Sequence, residues 1–327
     1  MTPSRRSFLA ATGGATLCGL WPASAFAQSW PTKPVRFVVP FAPGGSSEII
    51  ARATAGELTK QLGQSVFVDN KPGASGNIIA MAEVARADDQ HTLILGHIGT
   101  LAVNPYMYDK LPYDANKDFK PVSLLAKVPS LYVVNPGVPA KDLKEFIALV
   151  KAKPGQMNYG SAGNGSAGHL AMEYLKMTAN IFITHIPYKG TGPQLTDLLA
   201  GRLDAASVGA SAILQHIKSG KLRCIATGST QRLAQLPDVP TVAEQGFPGF
   251  EMTQWYGMLA PATMAQANID RLAAETQKAM KSQAALERLN QDAAQSVGGS
   301  PAQFAQFIAA EQKRWKQVVE RAKIKPE

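Results

Sequence analysis

The sequence predicts an α/β fold in two lobes, with a ligand cleft between the lobes. Two segments carry this prediction, because each places a glycine-rich turn between a short strand and a helix. The first segment begins at Val35 and the second at Asn158. Two helical patterns close the chain, and two α/β units with such a helical return are typical of a protein that binds its ligand between lobes.

The first segment combines a strand, a tight turn and a helix. Residues 35–39 are apolar and mostly β-branched, which predicts a short buried strand that ends at Pro40 and Pro43. Four small residues then make the turn and open the helix: Gly44, Gly45, Ser46 and Ser47. Because the first N–H groups of a helix lack partners and lie at the positive end of its dipole, this turn is a candidate anion site. The alternative is an ordinary strand-to-helix turn.

Strand and helix patterns alternate along the next part of the chain. Strands are predicted at 65–69 and 92–96, with a helix at 78–87 between them. This alternation favours a mostly parallel sheet with helices on its faces. Residues 119–126 and 131–135 are predicted as two further strands, and the pattern after them predicts a helix at 139–150.

The second α/β unit repeats this pattern. Its strands are predicted near 158–159 and at 181–186, 205–208 and 224–227. Its helices are predicted at 169–178, 194–200 and 212–219. After a turn-rich connection, two C-terminal helices are predicted at 268–281 and 301–323.

The second glycine-rich turn, residues 158–169, allows three interpretations. Gly163, Gly165 and Gly168 form a G-x-G-x-x-G pattern, but the following strand offers no acid to hold a ribose, so a dinucleotide site is disfavoured. Ser166 nearly matches a nucleophile elbow, but Asn164 replaces the first glycine of that motif. The third interpretation is a nest of N–H groups with two hydroxyls, from Ser161 and Ser166, that binds an anion at a helix start.

A third polar turn follows the strand at 181–186. Tyr188 and Thr191 can each supply a hydroxyl donor there, and Lys189 can supply a positive charge. We expect Lys189 to be solvated. We also expect His185 to be a histidine at the edge of the core rather than a ligand contact.

Length and composition exclude several classes of protein. The chain has 327 residues, of which 45% are hydrophobic and 17% charged, as in ordinary globular proteins of two domains. Its formal charge of +9 is spread along the chain, which favours an anion receptor over nucleic-acid binding. The histidines are dispersed and no Cys/His spacing resembles a zinc site, so neither a metal nor a cofactor is expected.

The N-terminus resembles an export signal. Residues 4–9, which contain Arg5 and Arg6, match the twin-arginine motif, and an apolar stretch leads to a cleavage site after Ala27. The stretch is too short to span a bilayer. We expect a signal peptide at 1–27, a periplasmic mature protein that begins at Gln28, and no intrachain disulfide, because Cys224 is then alone.

Short motifs along the rest of the chain carry a family resemblance. They are residues 40–45, 70–77, 104–105, 111–114, 159–161, 163–165, 185–190, 201–204 and 255–261. In this order they resemble the Bug-type receptors of tripartite tricarboxylate transporters. The resemblance implies a two-lobe periplasmic-binding-protein fold of type II. It also implies a receptor, not an enzyme, that hands a small carboxylate to membrane permease subunits.

The resemblance also implies where the lobes and the site lie. We expect lobe 1 at 28–127 and 251–327, lobe 2 at 128–250, and a monomer. In the family, the first strand-to-helix loop and the glycine-rich loop of the second lobe hold the carboxylate. The expected ligand-binding residues are Gly44, Gly45, Ser46, Ser47, His97, Ser161, Ala162, Gly163, Gly165, Ser166, Tyr188, Thr191 and Ser207.

Departures from the family pattern bear on the ligand. Glu48 replaces the usual aspartate, and His97, Ile98 and Leu101 follow Gly96. Where the family often has an aromatic residue and an acid after Asp204, this chain has Ser207 and Val208. Loss of that acid argues against an amino-acid ligand, and smaller, more apolar walls suggest an aromatic dicarboxylate such as terephthalate. The rival hypothesis is an exported nucleotide-dependent oxidoreductase.

Overall fold

The computed structural model describes residues 30–72, 76–322 and 324. The expected signal peptide, the cleavage site after Ala27 and Cys18 lie outside the described residues, as does the middle of the glycine-rich loop at 70–77. Among the described residues, no helix has both the length and the apolar character needed to cross a membrane.

The described chain alternates strands and helices almost to its end. The strands are β1 Val35–Val39, β2 Val66–Asn70, β3 Thr92–His97, β4 Phe119–Val134, β5 Asn158–Ser161, β6 Thr184–Pro187, β7 Ala205–Gly209, β8 Arg223–Thr227, β9 Thr253–Pro261 and β10 Gln295–Ser296. The helices are α1 Ser46–Leu62, α2 Gly76–Ala85, α3 Asn104–Met107, α4 Leu143–Ala152, α5 Ala167–Ala179, α6 Thr191–Leu199, α7 Ala210–Lys218, α8 Gln266–Met280, α9 Gln283–Gln291 and α10 Pro301–Ala322. A π-helical turn, Gly99–Val103, precedes α3.

All these strands join one long sheet in the order β2-β1-β3-β9-β4-β7-β5-β6, with β8 and β10 also paired to β4. We call β1, β2, β3, β9, β10 and residues 119–129 of β4 the first half of the sheet. The second half comprises β5 to β8 and residues 130–134 of β4. The chain thus crosses between the halves inside a single strand, and this arrangement agrees with the predicted two-lobe α/β fold.

The sheet is mixed rather than mostly parallel. The pairs β1–β2, β1–β3, β5–β6 and β5–β7 are parallel, as the alternating pattern predicts. The pairs that involve β4 and β9 are antiparallel. The strand β9, which comes late in the chain, lies between β3 and β4 and runs antiparallel to both.

The strand β4 corrects the prediction of two separate strands at 119–126 and 131–135. Pro129 lies between the two predicted segments, and proline cannot donate a hydrogen bond within a sheet. It stands where β4 leaves the first half and enters the second, and two register irregularities lie further upstream. At such a transition the missing N–H is tolerated, so one continuous strand forms.

The helices begin and end on local signals. The α1 helix ends at Gly63, whose φ of 69° is left-handed and suits glycine. The α5 helix begins at Ser166, whose hydroxyl accepts a hydrogen bond from the His169 N–H. The α10 helix packs on the first half through a buried Glu311, which accepts hydrogen bonds from the indole N–H groups of Trp255 and Trp315.

Candidate ligand-binding cleft

A small cleft with a volume of about 30 Å³ lies where four helices begin. The first residues of α1, α5 and α6 line it, as does Gly209 immediately before α7. The complete lining is Phe41, Ser46, Ser47, His97, Ala162, Ser166, Ala167, Gly168, Thr191, Gln194, Ser207, Val208, Gly209, Gln254 and Tyr256. Both halves of the sheet contribute to it, so the cleft lies between them.

The electrostatics of the cleft come from backbone dipoles. No lining residue carries an Asp, Glu, Lys or Arg side chain. The helices α1, α6 and α7 begin without a capping side chain, so their first N–H groups are left for other partners. Four positive dipole ends in a buried space without fixed charges favour an anion and offer no counter-charge to a cation.

His97 is a neutral hydrogen-bond donor at the floor of the cleft. Its Nδ1 accepts a hydrogen bond of 2.7 Å from the backbone N–H of Gly99. Burial lowers the pKa of His97 to about 3, so the ring is neutral. Since Nδ1 is the acceptor, the proton of the neutral ring is on Nε2. Nε2 is buried and has no hydrogen-bond partner.

Two serine hydroxyls in the cleft also lack hydrogen-bond partners of good geometry. They are the hydroxyls of Ser46 at the start of α1 and Ser207 on β7, and both residues are buried. The Ser46 hydroxyl lies beside that of Tyr256, which donates to Oε1 of Gln254 at 2.7 Å and keeps its lone pairs to accept from Ser46. Unpaired buried polar atoms are costly to the fold, and a ligand that pairs with them removes that cost.

Gln254 and Tyr256 form a fixed polar wall. The amide nitrogen of Gln254 donates to the hydroxyl of Ser130 at 3.2 Å, which completes a chain of hydrogen bonds from Tyr256 to β4. Burial raises the pKa of Tyr256, so its hydroxyl stays protonated. Phe41 packs on the ring of His97 with 4.8 Å between ring centroids and closes the apolar side of the cleft.

The structure brings part of the predicted site together. Ser46, Ser47, His97, Ala162, Ser166, Thr191 and Ser207 line the cleft. Gly44, Gly45, Ser161, Gly163, Gly165 and Tyr188 do not line it. Most of this second set has its donors engaged within the protein, which explains why these residues lie behind the surface of the cleft.

The glycine-rich loop before α5 uses several of its own donors. The N–H of Gly163 donates to the hydroxyl of Ser161 at 3.1 Å, and that of Gly165 donates to Nδ1 of His169 at 3.2 Å. The Ser161 hydroxyl is also hydrogen-bonded to Nε2 of His185 at 2.6 Å. The loop therefore presents Ala162, Ser166 and the first turn of α5 to the cleft, so only part of the predicted nest from Ser161 to Ser166 reaches it.

The other predicted residues outside the lining also make contacts within the protein. The Tyr188 hydroxyl donates to Oδ2 of Asp197 at 2.7 Å. The N–H of Gly44 donates to Oε2 of Glu48 at 2.7 Å, so the acid that replaces the family's aspartate holds the turn in place. Gly45 packs against the side chain of Thr191.

Sequence reasoning missed several lining residues. They are Phe41, Ala167, Gly168, Gln194, Val208, Gly209, Gln254 and Tyr256. Val208 was noted only as a departure from the family, and Tyr256 only as part of the motif at 255–261. For Gly209 a usable signal was present, since a small residue after a buried strand and before a helical pattern marks another helix start.

The G-x-G-x-x-G pattern serves packing in this fold. Gly168 has no room for a Cβ atom beside the carbonyl oxygen of Ser207. Gly165 has a left-handed φ of +71° and lies against Asn104. With the N–H groups of Gly163 and Gly165 already engaged, the loop offers no cradle for a pyrophosphate. Among the described residues, no three His, Cys, Asp or Glu side chains group closely enough to hold a metal ion.

A two-lobe α/β fold whose central cleft is lined by helix starts and unpaired donors defines a solute-binding receptor. The family model for the tripartite tricarboxylate transporter family receptor, TctC, matches residues 50–324. The chain therefore belongs to the TctC family, and the predicted resemblance to Bug-type receptors is confirmed.

Individual relatives support this assignment. BugT of Bordetella pertussis is 37% identical over 294 residues, which cover 90% of this chain and 90% of BugT. A solved R. palustris protein with adipate is 34% identical with a TM-score of 0.87, covering 91% of this chain and 100% of that chain. MatC from Rhodopseudomonas palustris with bound malate is also 34% identical with a TM-score of 0.84, covering 88% and 99%.

Proposed function

We propose that this receptor captures a small dicarboxylate in the cleft between its lobes. The observation that carries the proposal is the set of unpaired donors in a buried space without charged side chains: Ser46, His97 and Ser207. Carboxylate oxygens accept hydrogen bonds from such hydroxyl, imidazole and helix N-terminal donors. Relatives solved with adipate and with malate, which are both dicarboxylates, support the same ligand class.

The residues that line the cleft narrow the class of ligand. No lining residue carries a carboxylate, so an α-ammonium group would be buried there without a counter-charge. Amino-acid ligands are therefore disfavoured. Phe41, Val208 and Tyr256 supply flat or apolar surface, which supports an aromatic dicarboxylate such as terephthalate as the finer form of the proposal.

The receptor works by binding and closure, and no bond is made or broken. Lobe 1 comprises residues 28–127 and 251–327, and lobe 2 comprises residues 128–250. The ligand takes donors from the start of α1 on one side and from the start of α5 on the other, and the lobes close around it.

The proposal places this receptor in the periplasm as a monomer. Arg5 and Arg6 direct export by the twin-arginine route, and cleavage after Ala27 releases the mature chain. The receptor then delivers its ligand to the membrane permease subunits of a tripartite tricarboxylate transporter. Membership of the TctC family supports this role, since the members of that family are receptors of tripartite tricarboxylate transporters.

A ligand panel tests the proposal. The purified mature chain is tested by thermal shift, then by calorimetry, with succinate, malate, adipate, terephthalate and aspartate. We expect at least one dicarboxylate to bind and to raise the melting temperature, and malate to bind more tightly than aspartate. Failure of all the carboxylates would overturn the proposed function. Tightest binding of aspartate would overturn the argument about the ammonium group.

Mass spectrometry of gently purified protein separates the receptor from the rival oxidoreductase. A nicotinamide cofactor retained by the protein would favour the enzyme. A retained small acid would favour the receptor.

A further inference from the structure

The hydrogen-bonding role of His97 is fixed, unlike that of its neighbours. Its Nδ1 is occupied by the Gly99 N–H, so Nε2 can only donate. The hydroxyls of Ser46 and Ser207 can rotate, and each can donate to or accept from a ligand. Of these unpaired polar groups, His97 alone can discriminate between an acceptor and a donor on the ligand.

The position of His97 is as fixed as its protonation. The side chain is 1% exposed and is held between the ring of Phe41 and the end of β3. Its strand neighbour across the sheet is Tyr256, whose hydroxyl is already committed to Gln254. Nε2 has no hydrogen-bond partner among the described residues, and the acceptors nearest to it in kind are the rotatable hydroxyls of Ser46 and Ser207 in the same lining.

One carboxylate does not use all the donors in the cleft. A carboxylate has about four acceptor positions on its two oxygens. The first turns of α1, α5, α6 and α7 and two serine hydroxyls already offer more donors than this. The Nε2–H of His97 is an additional donor that cannot act as an acceptor. It therefore requires an additional acceptor on the ligand.

We propose that His97 is the specificity-determining residue of the cleft and that its Nε2–H selects ligands with a second acceptor-bearing end. This inference rests on the proposed function, because it assumes that a carboxylate binds in the cleft. Ligands whose second end is a methyl group leave the N–H unpaired. Discrimination against them is about ten- to a hundredfold, the usual cost of a buried unpaired donor.

Two substitutions separate the roles of the two ring nitrogens. His97→Asn retains an acceptor close to the position of Nδ1 for the Gly99 N–H, but it lacks the donor at Nε2. His97→Gln places an amide donor near the position of Nε2, but it loses the acceptor for Gly99. His216→Gln, on α7 and outside the lining of the cleft, is the matched control.

The probes are pairs of acids that differ at one end: adipate with hexanoate, and terephthalate with 4-methylbenzoate. Calorimetry gives the ratio of dissociation constants within each pair for the parent and the three variants. For the pair whose diacid binds the parent, we expect the parent, His97→Gln and His216→Gln to prefer the diacid by about tenfold or more. We expect His97→Asn to lose most of that preference while its melting temperature stays near that of the parent.

The outcomes distinguish this proposal from the proposed function. If the parent binds diacids but His97→Asn keeps the full preference, His97 does not read the second end and this inference is wrong. If His97→Gln loses the preference and His97→Asn keeps it, the residue acts only by holding the Gly99 turn, which also overturns it. If the parent binds none of the acids, the proposed function itself fails.

Discussion

The backbone N–H of Ala42 donates a hydrogen bond of 3.2 Å to the carbonyl oxygen of Lys189. This bond joins the loop after β1, in the first half of the sheet, to the loop before α6, in the second. Neighbouring glycines allow the approach, since a Cβ at Gly190 would collide with Ala42 and one at Gly192 with the carbonyl oxygen of Pro43. The two halves therefore meet backbone to backbone beside the cleft.

Gly192→Ala is expected to weaken closure without weakening the fold. Gly192 lies in the first turn of α6, where alanine is a better helix former than glycine. The added methyl group would meet Pro43 only when the two loops are in contact. We expect ligand affinity, measured by calorimetry, to fall about tenfold as the closed population falls, with no loss of melting temperature.

Gly56→Ala is the control for this prediction, because Gly56 lies in α1 and a methyl group added there would meet no neighbouring residue within 4 Å. Solution scattering on both variants checks the cause. Ligand should reduce the radius of gyration of the control and should reduce that of Gly192→Ala less. Equal affinity and equal compaction in the two variants would show that this contact does not limit closure.

Ser207→Ala is expected to stabilise the free protein and to weaken binding. The Ser207 hydroxyl is buried without a partner, so its removal relieves an unsatisfied polar group. We expect a gain of about 1 kcal/mol in the free energy of unfolding and a loss of about fivefold in affinity. Urea unfolding and calorimetry measure the two effects.

Ser130→Ala is the comparison variant, because it removes a buried hydroxyl that has a hydrogen-bond partner. The Ser130 hydroxyl is also buried, but it accepts a hydrogen bond from Gln254. Its removal should lower the free energy of unfolding. A loss of stability in Ser207→Ala as large as that in Ser130→Ala would mean that the Ser207 hydroxyl has a partner in solution.

Acidic pH is expected to destabilise the fold through His97 and His169. The pKa of both rings is lowered from 6.5 to about 3; burial is the main cause, and for His169 the neighbouring His185 and Lys176 contribute to the same lowering. Between these values the unfolded chain binds more protons than the folded chain, so stability rises with pH and is lost as the pH falls below 6.5. Each ring changes the free energy of unfolding by up to about 1.4 kcal/mol per pH unit.

Urea unfolding at about pH 7.5, 6 and 5 measures this slope. The loss between about pH 6 and 5 should be roughly 2 kcal/mol for the two rings together. His169→Asn, which keeps an acceptor for the Gly165 N–H, should halve it. Asp89 and Asp114 have lowered pKa values, and their stabilisation is lost only at more acidic pH, so they do not account for this window. A flat profile across these pH values would contradict the prediction.

Export is expected to depend on Arg5 and Arg6. Replacing both with lysine should leave the precursor in the cytoplasm, because the twin-arginine machinery reads the arginine pair. Fractionation and immunoblotting measure the distribution. N-terminal sequencing of the exported chain should begin at Gln28. Export of the double variant at the level of the parent would exclude the twin-arginine route.

Local patterns predicted most of the strands and helices of this fold. The strand Val35–Val39 agrees residue for residue, and α5 extends the predicted helix by only a few residues. Ser46, Ser47, Ser166 and Thr191 could be placed in the site because helix starts leave a local signature of glycine and hydroxyl residues. Their roles depend on neighbours a few positions away, which a sequence shows directly.

Long-range pairing set the limit of the sequence prediction. The strand β9, which carries Gln254 and Tyr256, is buried on both faces. Its sequence therefore lacks the alternation of polar and apolar residues that predicts a strand. No local sequence pattern predicts that β9 lies between β3 and β4. Likewise, the internal hydrogen bonds of Ser161, Gly163 and Gly165 depend on His169 and His185, so their donors could not be excluded from the site in advance.

The position of β9 imposes an order on folding during synthesis. On the ribosome, β3 and β4 emerge long before Thr253–Pro261, and each has an open edge until β9 fills the gap between them. The strands β5 to β8 have their partners in the chain already made, so they can pair first. A nascent chain stalled before Thr253 would expose two unpaired edges of buried, apolar strands, which are the surfaces that chaperones bind and that aggregate when left uncovered.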